Sequence, residues 1–184
     1  MKNIGIPKRE KSCLVVIDVQ EKFRPVIHEF DEVVENISKL VKSFQILKVP
    51  VIVTEQNPEK LGKTVPEISE VIENNESINK MHFSCCGEKT FSDKIKASGA
   101  KDIILCGVET HVCVLKTALD LLKDDYNVYV VCDAVSSRKK FDTKIAIKRL
   151  RQSGVFLNTV ESIIFQLMDS AGTDEFREII RVVK

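Results

Sequence analysis

Short apolar segments rich in β-branched residues alternate with amphipathic segments along the whole sequence. The apolar segments predict six strands, over residues 13–18, 49–54, 77–80, 102–108, 127–133 and 155–159. The strongest of them, such as CLVVID and DIILCGV, are apolar almost without interruption, which is typical of strands buried on both faces of a sheet. A chain built in this way places helices on both sides of a mostly parallel sheet.

The segments between these strands carry apolar residues at helical spacing. They predict helices over 31–48, 88–98, 110–124, 141–153 and 174–182. The sequence therefore predicts a three-layer α/β/α sandwich around a mostly parallel, Rossmann-like sheet of six strands. Because no linker, repeat or low-complexity tract interrupts the pattern, we expect residues 1–184 to form a single domain.

Charge and hydropathy exclude several classes of partner. The 28 basic and 27 acidic residues are mixed along the chain and give a formal net charge of +1, so nucleic acid is not an expected partner. Apolar runs long enough to span a bilayer are absent, and a membrane is not expected either. The first residues, MKNIGIPKREK, lack the apolar core of a signal peptide, which predicts a cytoplasmic protein.

The six cysteines show neither paired CxxC spacing nor a zinc pattern with histidine. Three of them lie in or beside predicted strands, where an inert core thiol is the favoured interpretation: Cys13, Cys106 and Cys132. Cys85 and Cys86 are adjacent, a poor geometry for a disulfide. The remaining one, Cys113, lies at the start of a predicted helix, where a thiol is most easily ionised. We therefore expect Cys113 to be reactive, with a lowered pKa.

Several polar residues follow the predicted strands. Asp18, Lys80 and Cys113 each come at or after a strand end, as do the loops TEQNP and DAVSSR. Ligands of open parallel sheets bind outside the carboxyl ends of the strands, so the fold would bring these residues together. Taken alone, Asp18 could cap a turn and Lys80 could be an ordinary solvated lysine. Their occurrence together predicts a catalytic site.

The same segments resemble a known family. VVIDVQEKF, INKMHFSCC and GVETHVCV are similar to motifs of the isochorismatase-like cysteine hydrolases, which include nicotinamidases and N-carbamoylsarcosine amidohydrolases. DAVSSR and VFLNTVESIIFQL add to the likeness, which extends over roughly residues 12–170. VIVTEQNPEKLG and GVETHVC are most similar to the branch of isochorismatase-domain-containing proteins.

The resemblance implies a catalytic triad of Asp18, Lys80 and Cys113. Cys113 would be the nucleophile, Asp18 would relay protons, and Lys80 would hold Asp18 in place and favour the thiolate. The implied reaction is cleavage of a C–N bond of a small amide or carbamoyl compound through a thioester. The resemblance also implies a cis peptide bond between Val108 and Glu109, which would direct the N–H groups of Glu109 and Cys113 at an oxyanion.

Further residues are candidates for the wall of the substrate pocket. Phe23, Gln56 and Phe83 lie in loops at its expected mouth, although a satellite apolar cluster explains them nearly as well. Glu55 could bind substrate or cap its loop. His111 precedes Cys113 by two residues, a helical spacing that points side chains to different faces, so we expect a pocket wall or surface residue rather than a Cys–His pair.

Two other functions stay open at this point. Cys113 could serve a thiol redox or sensor protein, with Cys85 or Cys86 as the resolving cysteine. The chain could also be a non-catalytic binding protein on a hydrolase fold, although such a protein has no need of the complete triad.

The sequence also bears on metals, cofactors and assembly. Nicotinamidases hold a divalent ion through an aspartate and histidines of the loop after the second strand, whereas TEQNPEKLGKTVPE contains neither residue, so we expect no metal and no cofactor. Relatives commonly assemble, and we expect a homo-oligomer, a dimer or larger.

Overall fold

One parallel sheet forms the centre of the protein. The computed structural model describes residues 4–73 and 76–184. The strands are β1 (Ser12–Ile17), β2 (Val51–Gln56), β3 (Ser77–Lys80), β4 (Asp102–Val108), β5 (Asn127–Ser136) and β6 (Phe156–Asn158). Their order in the sheet is β3-β2-β1-β4-β5-β6, and every pairing of these strands is parallel. The predicted α/β fold with a six-stranded Rossmann-like sheet is confirmed.

Helices connect the strands and cover the sheet. In the described part of the chain they are α1 (Phe30–Ile46), α2 (Pro58–Leu61), α3 (Pro66–Ser69), α4 (Lys89–Ser98), α5 (Leu115–Lys123), α6 (Lys140–Gln152), α7 (Val160–Gln166) and α8 (Asp174–Val183). The helix predicted from residue 110 begins instead with a π-helical turn, Thr110–Val114, before α5. The sequence did not predict α2, α3 or α7, because each is too short to show a clear helical period.

The two faces of the sheet bury alternate residues of the same strands. Leu14 and Val16 of β1 pack with α1, α7 and α8 in one apolar cluster, whereas Cys13 and Val15 pack with α4, α5 and α6 in another. All the residues of β1 and β4 are buried. Both faces need apolar side chains, and the strand sequences are therefore continuously apolar rather than alternating.

The strand order reverses between β1 and β4, and this point positions the site. From β1 the chain winds outward through β2 and β3, then returns and winds the other way through β4, β5 and β6. The loops that follow β1 and β4 therefore diverge and leave a crevice at the carboxyl ends of these strands. Asp18 follows β1, and the turn containing Cys113 follows β4.

A glycine allows β4 to approach β1 closely at this edge. Gly107 has a φ of 109°, and a Cβ atom there would lie 2.1 Å from the carbonyl oxygen of Ile17. The register between β4 and β5 also shifts between Leu105 and Gly107. Only a residue without a side chain fits this conformation. Gly107 therefore brings the turn after β4 against the end of β1.

A separate finding concerns membranes. Within residues 4–73 and 76–184, no helix combines the length and the apolar character needed to cross a bilayer.

Candidate active site

Asp18 and Lys80 form a fully buried ion pair at the carboxyl edge of the sheet. Lys80 Nζ lies 2.6 Å from Asp18 Oδ2, and both side chains are 0% exposed. Asp18 follows the last residue of β1 in a left-handed conformation, with a φ of 55°, which aspartate tolerates better than most residues. Lys80 is the last residue of β3. Since β3 is two strands away from β1, the pair spans β2.

Lys80 is surrounded by oxygen atoms. Besides Asp18, its ammonium donates to Gln56 Oε1 at 2.7 Å and to the carbonyl oxygens of His82 at 3.2 Å and Phe83 at 3.4 Å. An ammonium has three N–H groups, so these four acceptors must share them. Burial alone would lower the pKa of Lys80, but the Asp18 carboxylate outweighs it and holds that pKa above its ordinary value. Lys80 is therefore a fixed positive charge.

Gln56 and Gln20 support this arrangement. Gln56 accepts from Lys80 and donates through Nε2 to the carbonyl oxygen of Met81 at 3.0 Å. Gln20 is fully buried; its Oε1 accepts from the Gln56 backbone N–H at 2.8 Å and its Nε2 donates to the Gln56 carbonyl at 3.0 Å. These contacts occupy the amide of Gln56, and they favour a role in holding Lys80 over contact with substrate.

Cys113 lies beside this pair. It belongs to the π-helical turn Thr110–Val114, is 7% exposed, and its thiol interacts with the Asp18 carboxylate. The turn begins immediately after β4, so the close approach of β4 to β1 brings the thiol to the carboxylate. The structure thus brings Asp18, Lys80 and Cys113 together at one point of the sheet edge.

The expectation of a lowered pKa for Cys113 was wrong. Burial, and next the negative charge of Asp18, raise the pKa of the Cys113 thiol to about 12, although the Lys80 ammonium opposes them. The sequence suggested a helix N-terminus and a cation, but it could not show that the thiol lies in the apolar layer beside an anion. Cys113 is therefore a neutral thiol at rest, next to the carboxylate that can act as its base.

The ionisation of Asp18 is set by opposing effects. Burial raises the pKa of Asp18, whereas Lys80 and hydrogen bonds from Thr54 and Cys113 act to lower it. A carboxylate whose pKa lies above its ordinary range is a stronger base than an exposed aspartate. The pair of a neutral thiol and a basic carboxylate is suited to proton transfer from Cys113 to Asp18.

The peptide bond between Val108 and Glu109 is cis, at the position that the resemblance implies. Glu109 is mostly buried, and its Oε2 accepts from both the backbone N–H and Nε of Arg138, each at 3.0 Å. Two residues after Glu109, His111 Nδ1 lies 2.9 Å from Ser137 Oγ. These contacts hold the turn that carries Cys113 against the segment that follows β5.

The other candidate pocket residues lie in different environments. Glu55 is 3% exposed, and its Oε1 accepts from Thr64 N and Oγ1 at 2.8 Å each. Although burial alone would raise the pKa of Glu55, these bonds hold it below its usual value. Such contacts favour the loop-capping role. Phe23 is partly buried and packs against the core, whereas Phe83 is 55% exposed.

Sequence reasoning missed Thr54. This fully buried residue of β2 donates from Oγ1 to Asp18 Oδ1 at 2.8 Å and thereby contacts the central residue of the site. Its signal in the sequence was weak, since a threonine in a strand is ordinary. A polar residue near the end of an otherwise apolar strand was the available clue.

The described residues offer no group of three or more histidine, cysteine, aspartate or glutamate side chains arranged to hold a metal ion. Glu55, near the end of β2, already accepts two hydrogen bonds from Thr64. Its donor set does not fit a transition-metal site, because imidazole or thiolate partners are lacking beside it.

A doubly wound parallel sheet with a buried acid, lysine and thiol at its switch point defines an α/β fold of the hydrolase type. The family profile of the isochorismatase domain matches residues 12–162. The chain belongs to the isochorismatase family. Isochorismatase domain-containing protein 2 from Danio rerio is 42% identical, over 100% of this chain and 92% of that protein. The secreted isochorismatase effector Isc1 from Phytophthora sojae is 41% identical, over 100% of this chain and 89% of that protein.

Solved structures share the fold. The MAR1 ribonuclease from Caenorhabditis elegans has a TM-score of 0.90 and 40% identity, covering 96% of this chain and 91% of that one. The YcaC gene product from Escherichia coli, described as an octameric hydrolase of unknown specificity, has a TM-score of 0.85 and 24% identity, covering 91% of this chain and 84% of that one. At the lower identity the likeness concerns the fold alone.

Proposed function

We propose that this protein is a cysteine hydrolase that cleaves a C–N bond of a small amide or carbamoyl compound through a thioester on Cys113. One observation carries the proposal: Asp18 contacts both the Lys80 ammonium and the Cys113 thiol in a buried position. A base between a nucleophile and a fixed cation is the arrangement that covalent hydrolysis requires. Membership of a hydrolase family supports the reaction class.

The proposed first half-reaction uses Asp18 as the base. Asp18 takes the proton of Cys113 as the sulfur attacks the substrate carbonyl carbon, and the C–N bond then breaks while Asp18 returns that proton to the leaving nitrogen. Ammonia or an amine departs and a thioester remains. The backbone N–H groups of Glu109 and Cys113 are the proposed donors to the oxyanion.

In the second half-reaction, Asp18 takes a proton from water, the resulting hydroxide attacks the thioester, and the C–S bond breaks. The proton returns to the sulfur, which restores the neutral thiol. Lys80 stays protonated throughout and stabilises the negative charge as it moves between Asp18 and Cys113. This scheme needs no thiolate at rest, in keeping with the raised pKa of Cys113.

A substrate screen tests the proposal. Primary amides, carbamoyl compounds and ureido compounds are incubated with the protein, and ammonia release is measured by a coupled assay. We expect turnover to fall to background in Cys113→Ala, because the nucleophile is lost, and to persist in Cys132→Ala, which alters a partly buried cysteine of β5. Intact mass spectrometry should detect the acylated wild-type protein. Wild-type turnover by Cys113→Ala would refute the mechanism.

The redox alternative is less favoured. A sensor cysteine reacts as an accessible thiolate. Burial raises the pKa of Cys85 to about 12 and that of Cys86 to about 11, and it raises the pKa of Cys113 as well. Peroxide titration distinguishes the two functions: a quantitative, thiol-reversible disulfide of Cys113 with Cys85 or Cys86 at low peroxide would favour the sensor.

The name of the C. elegans neighbour raises RNA cleavage as a second candidate. We favour the amide because the cation of the site, Lys80, has no exposed side-chain surface with which to contact a phosphate. The screen therefore includes single-stranded RNA. RNA cleavage that Cys113→Ala abolishes, without ammonia release from any amide, would replace the amide proposal.

We also propose a single domain over 1–184 and a homo-oligomer. Phe141 and Ile145 lie one turn apart on α6 and are 69% and 49% exposed, which gives apolar surface for assembly. Light scattering at micromolar concentration tests the assembly, and a monomer would contradict it. The cytoplasmic location stays a prediction, and one relative is a secreted effector.

A further inference from the structure

The two carboxylate oxygens of Asp18 have different partners. Oδ2 lies 2.6 Å from Lys80 Nζ in a close ion pair. Oδ1 accepts the Thr54 hydroxyl at 2.8 Å, and Thr54 and Asp18 are both fully buried. The Thr54 hydroxyl thus fixes Oδ1, and Oδ2, beside the Lys80 ammonium, is the oxygen left for proton exchange.

Thr54 holds Asp18 at two points. The backbone N–H of Asp18 donates to the Thr54 carbonyl oxygen at 3.1 Å, in addition to the side-chain bond. Thr54 itself is stiff, because it is β-branched, lies within β2 and is paired in register with Ile17, the residue before Asp18. A donor fixed in this way defines the rotation of the carboxylate.

Lys80 cannot define that rotation alone. An ammonium is a compact charge that attracts either oxygen equally, and the terminal torsion of an aspartate is broad. The thiol of Cys85 helps to fix the direction in which the Thr54 hydroxyl donates its proton. Cys85 Sγ donates to Thr54 Oγ1 at 3.9 Å, which leaves the hydroxyl proton for Asp18. The backbone N–H of Cys85 is itself fixed by Thr117 Oγ1 at 3.0 Å.

We propose that Thr54 is a positioning residue that holds Oδ1 of Asp18, so that Oδ2 is the oxygen that exchanges a proton with Cys113. This inference rests on the proposed role of Asp18 as the base. Because the Thr54 hydroxyl donates to the carboxylate, it also favours the ionised form, so its removal shifts Asp18 towards the protonated form that cannot accept a proton.

The test uses iodoacetamide as the probe and needs no substrate. Labelling of Cys113 is followed from pH 4 to pH 9 by mass spectrometry of peptides, with Cys132 in the same sample as the internal control. The acid limb of the profile, where labelling falls as pH decreases, marks protonation of Asp18. Thr54→Val removes the hydroxyl at nearly constant volume, and Thr54→Ser retains it.

We expect the acid limb of Thr54→Val to move to higher pH by roughly one to two units, the effect of one hydrogen bond to a charged group. Thr54→Ser should keep the wild-type limb, and labelling of Cys132 should not change in either variant. A merely structural role would lower stability without moving the limb. Thermal melting measures that loss separately.

Two results would overturn the proposal: an unchanged limb in Thr54→Val, or an equal shift in Thr54→Ser, which would assign the effect to the lost methyl group. If Thr54→Val does not fold, Thr54→Ala takes its place with the same two outcomes. Because labelling does not depend on turnover, a protein that hydrolyses no amide but shows the limb shift would refute the proposed function and retain the role of Thr54.

Discussion

Replacing Lys80 with methionine removes the ammonium from a fully buried ion pair. Methionine is similar in length and leaves little void, so the change mainly isolates the Asp18 carboxylate. Both side chains are 0% exposed, and water therefore cannot compensate for the lost charge. Breaking a buried pair by removing one partner costs about 3–5 kcal/mol. Lys80→Met should lose that much free energy of unfolding at pH 7, measured by urea denaturation.

The free energy of unfolding that Lys80→Met loses should depend on pH in a defined direction. Burial already raises the pKa of Asp18, and without the opposing ammonium that pKa rises further. A group with a raised folded-state pKa favours folding below its unfolded pKa, and that contribution is lost as pH rises through the folded pKa. Relative to wild type, Lys80→Met should be least destabilised near pH 4, where Asp18 is protonated, and most destabilised at neutral pH.

Two further variants test the reasoning. The double variant Asp18→Asn with Lys80→Met carries no buried charge and should unfold within about 2 kcal/mol of wild type, which makes the single changes strongly non-additive. Lys89→Met breaks a pair of equal length, 2.6 Å to Asp93, but both residues are exposed, and its stability should not change. Equal losses in Lys80→Met and Lys89→Met, or additive losses in the double variant, would refute the electrostatic account.

Three other experiments have expected outcomes: a glycine substitution, thiol labelling and metal chelation. Gly107→Ala should lower the free energy of unfolding by more than about 3 kcal/mol, because its Cβ would meet the Ile17 carbonyl. Gly99→Ala, with open space around the new Cβ, should cost about 1 kcal/mol. Similar losses in the two variants would contradict the close approach of β4 to β1. Iodoacetamide labelling of Cys113 should be slower at pH 7 than that of free cysteine and should increase again above pH 9, since its pKa is about 12; faster labelling at pH 7 would indicate a resting thiolate. EDTA should leave ammonia release unchanged, and a stoichiometric metal whose removal stops turnover would overturn this expectation.

The strands were largely predictable because their signal is local. Continuous apolar runs such as that of β4 are required wherever both faces of a strand are buried, and this holds whatever the details of packing. The boundaries moved by a few residues, as for β5, which continues to Ser136. The π-helical turn Thr110–Val114 was not predictable, since it depends on how β4 ends against β1.

The fold class and the set of residues at the sheet edge follow from the sequence alone, because hydrophobic period and chain order decide which strand ends meet. Asp18, Lys80 and Cys113 were expected together on that basis, and they lie together. That the thiol is neutral follows from the packed structure and not from the sequence, because ionisation depends on burial and on the charge that packing places beside the thiol. The packed structure also shows that Thr54 donates a hydrogen bond to Asp18. That contact depends on the register between β1 and β2, which arises from side chains packing across segments far apart in the chain and leaves no mark in either segment alone.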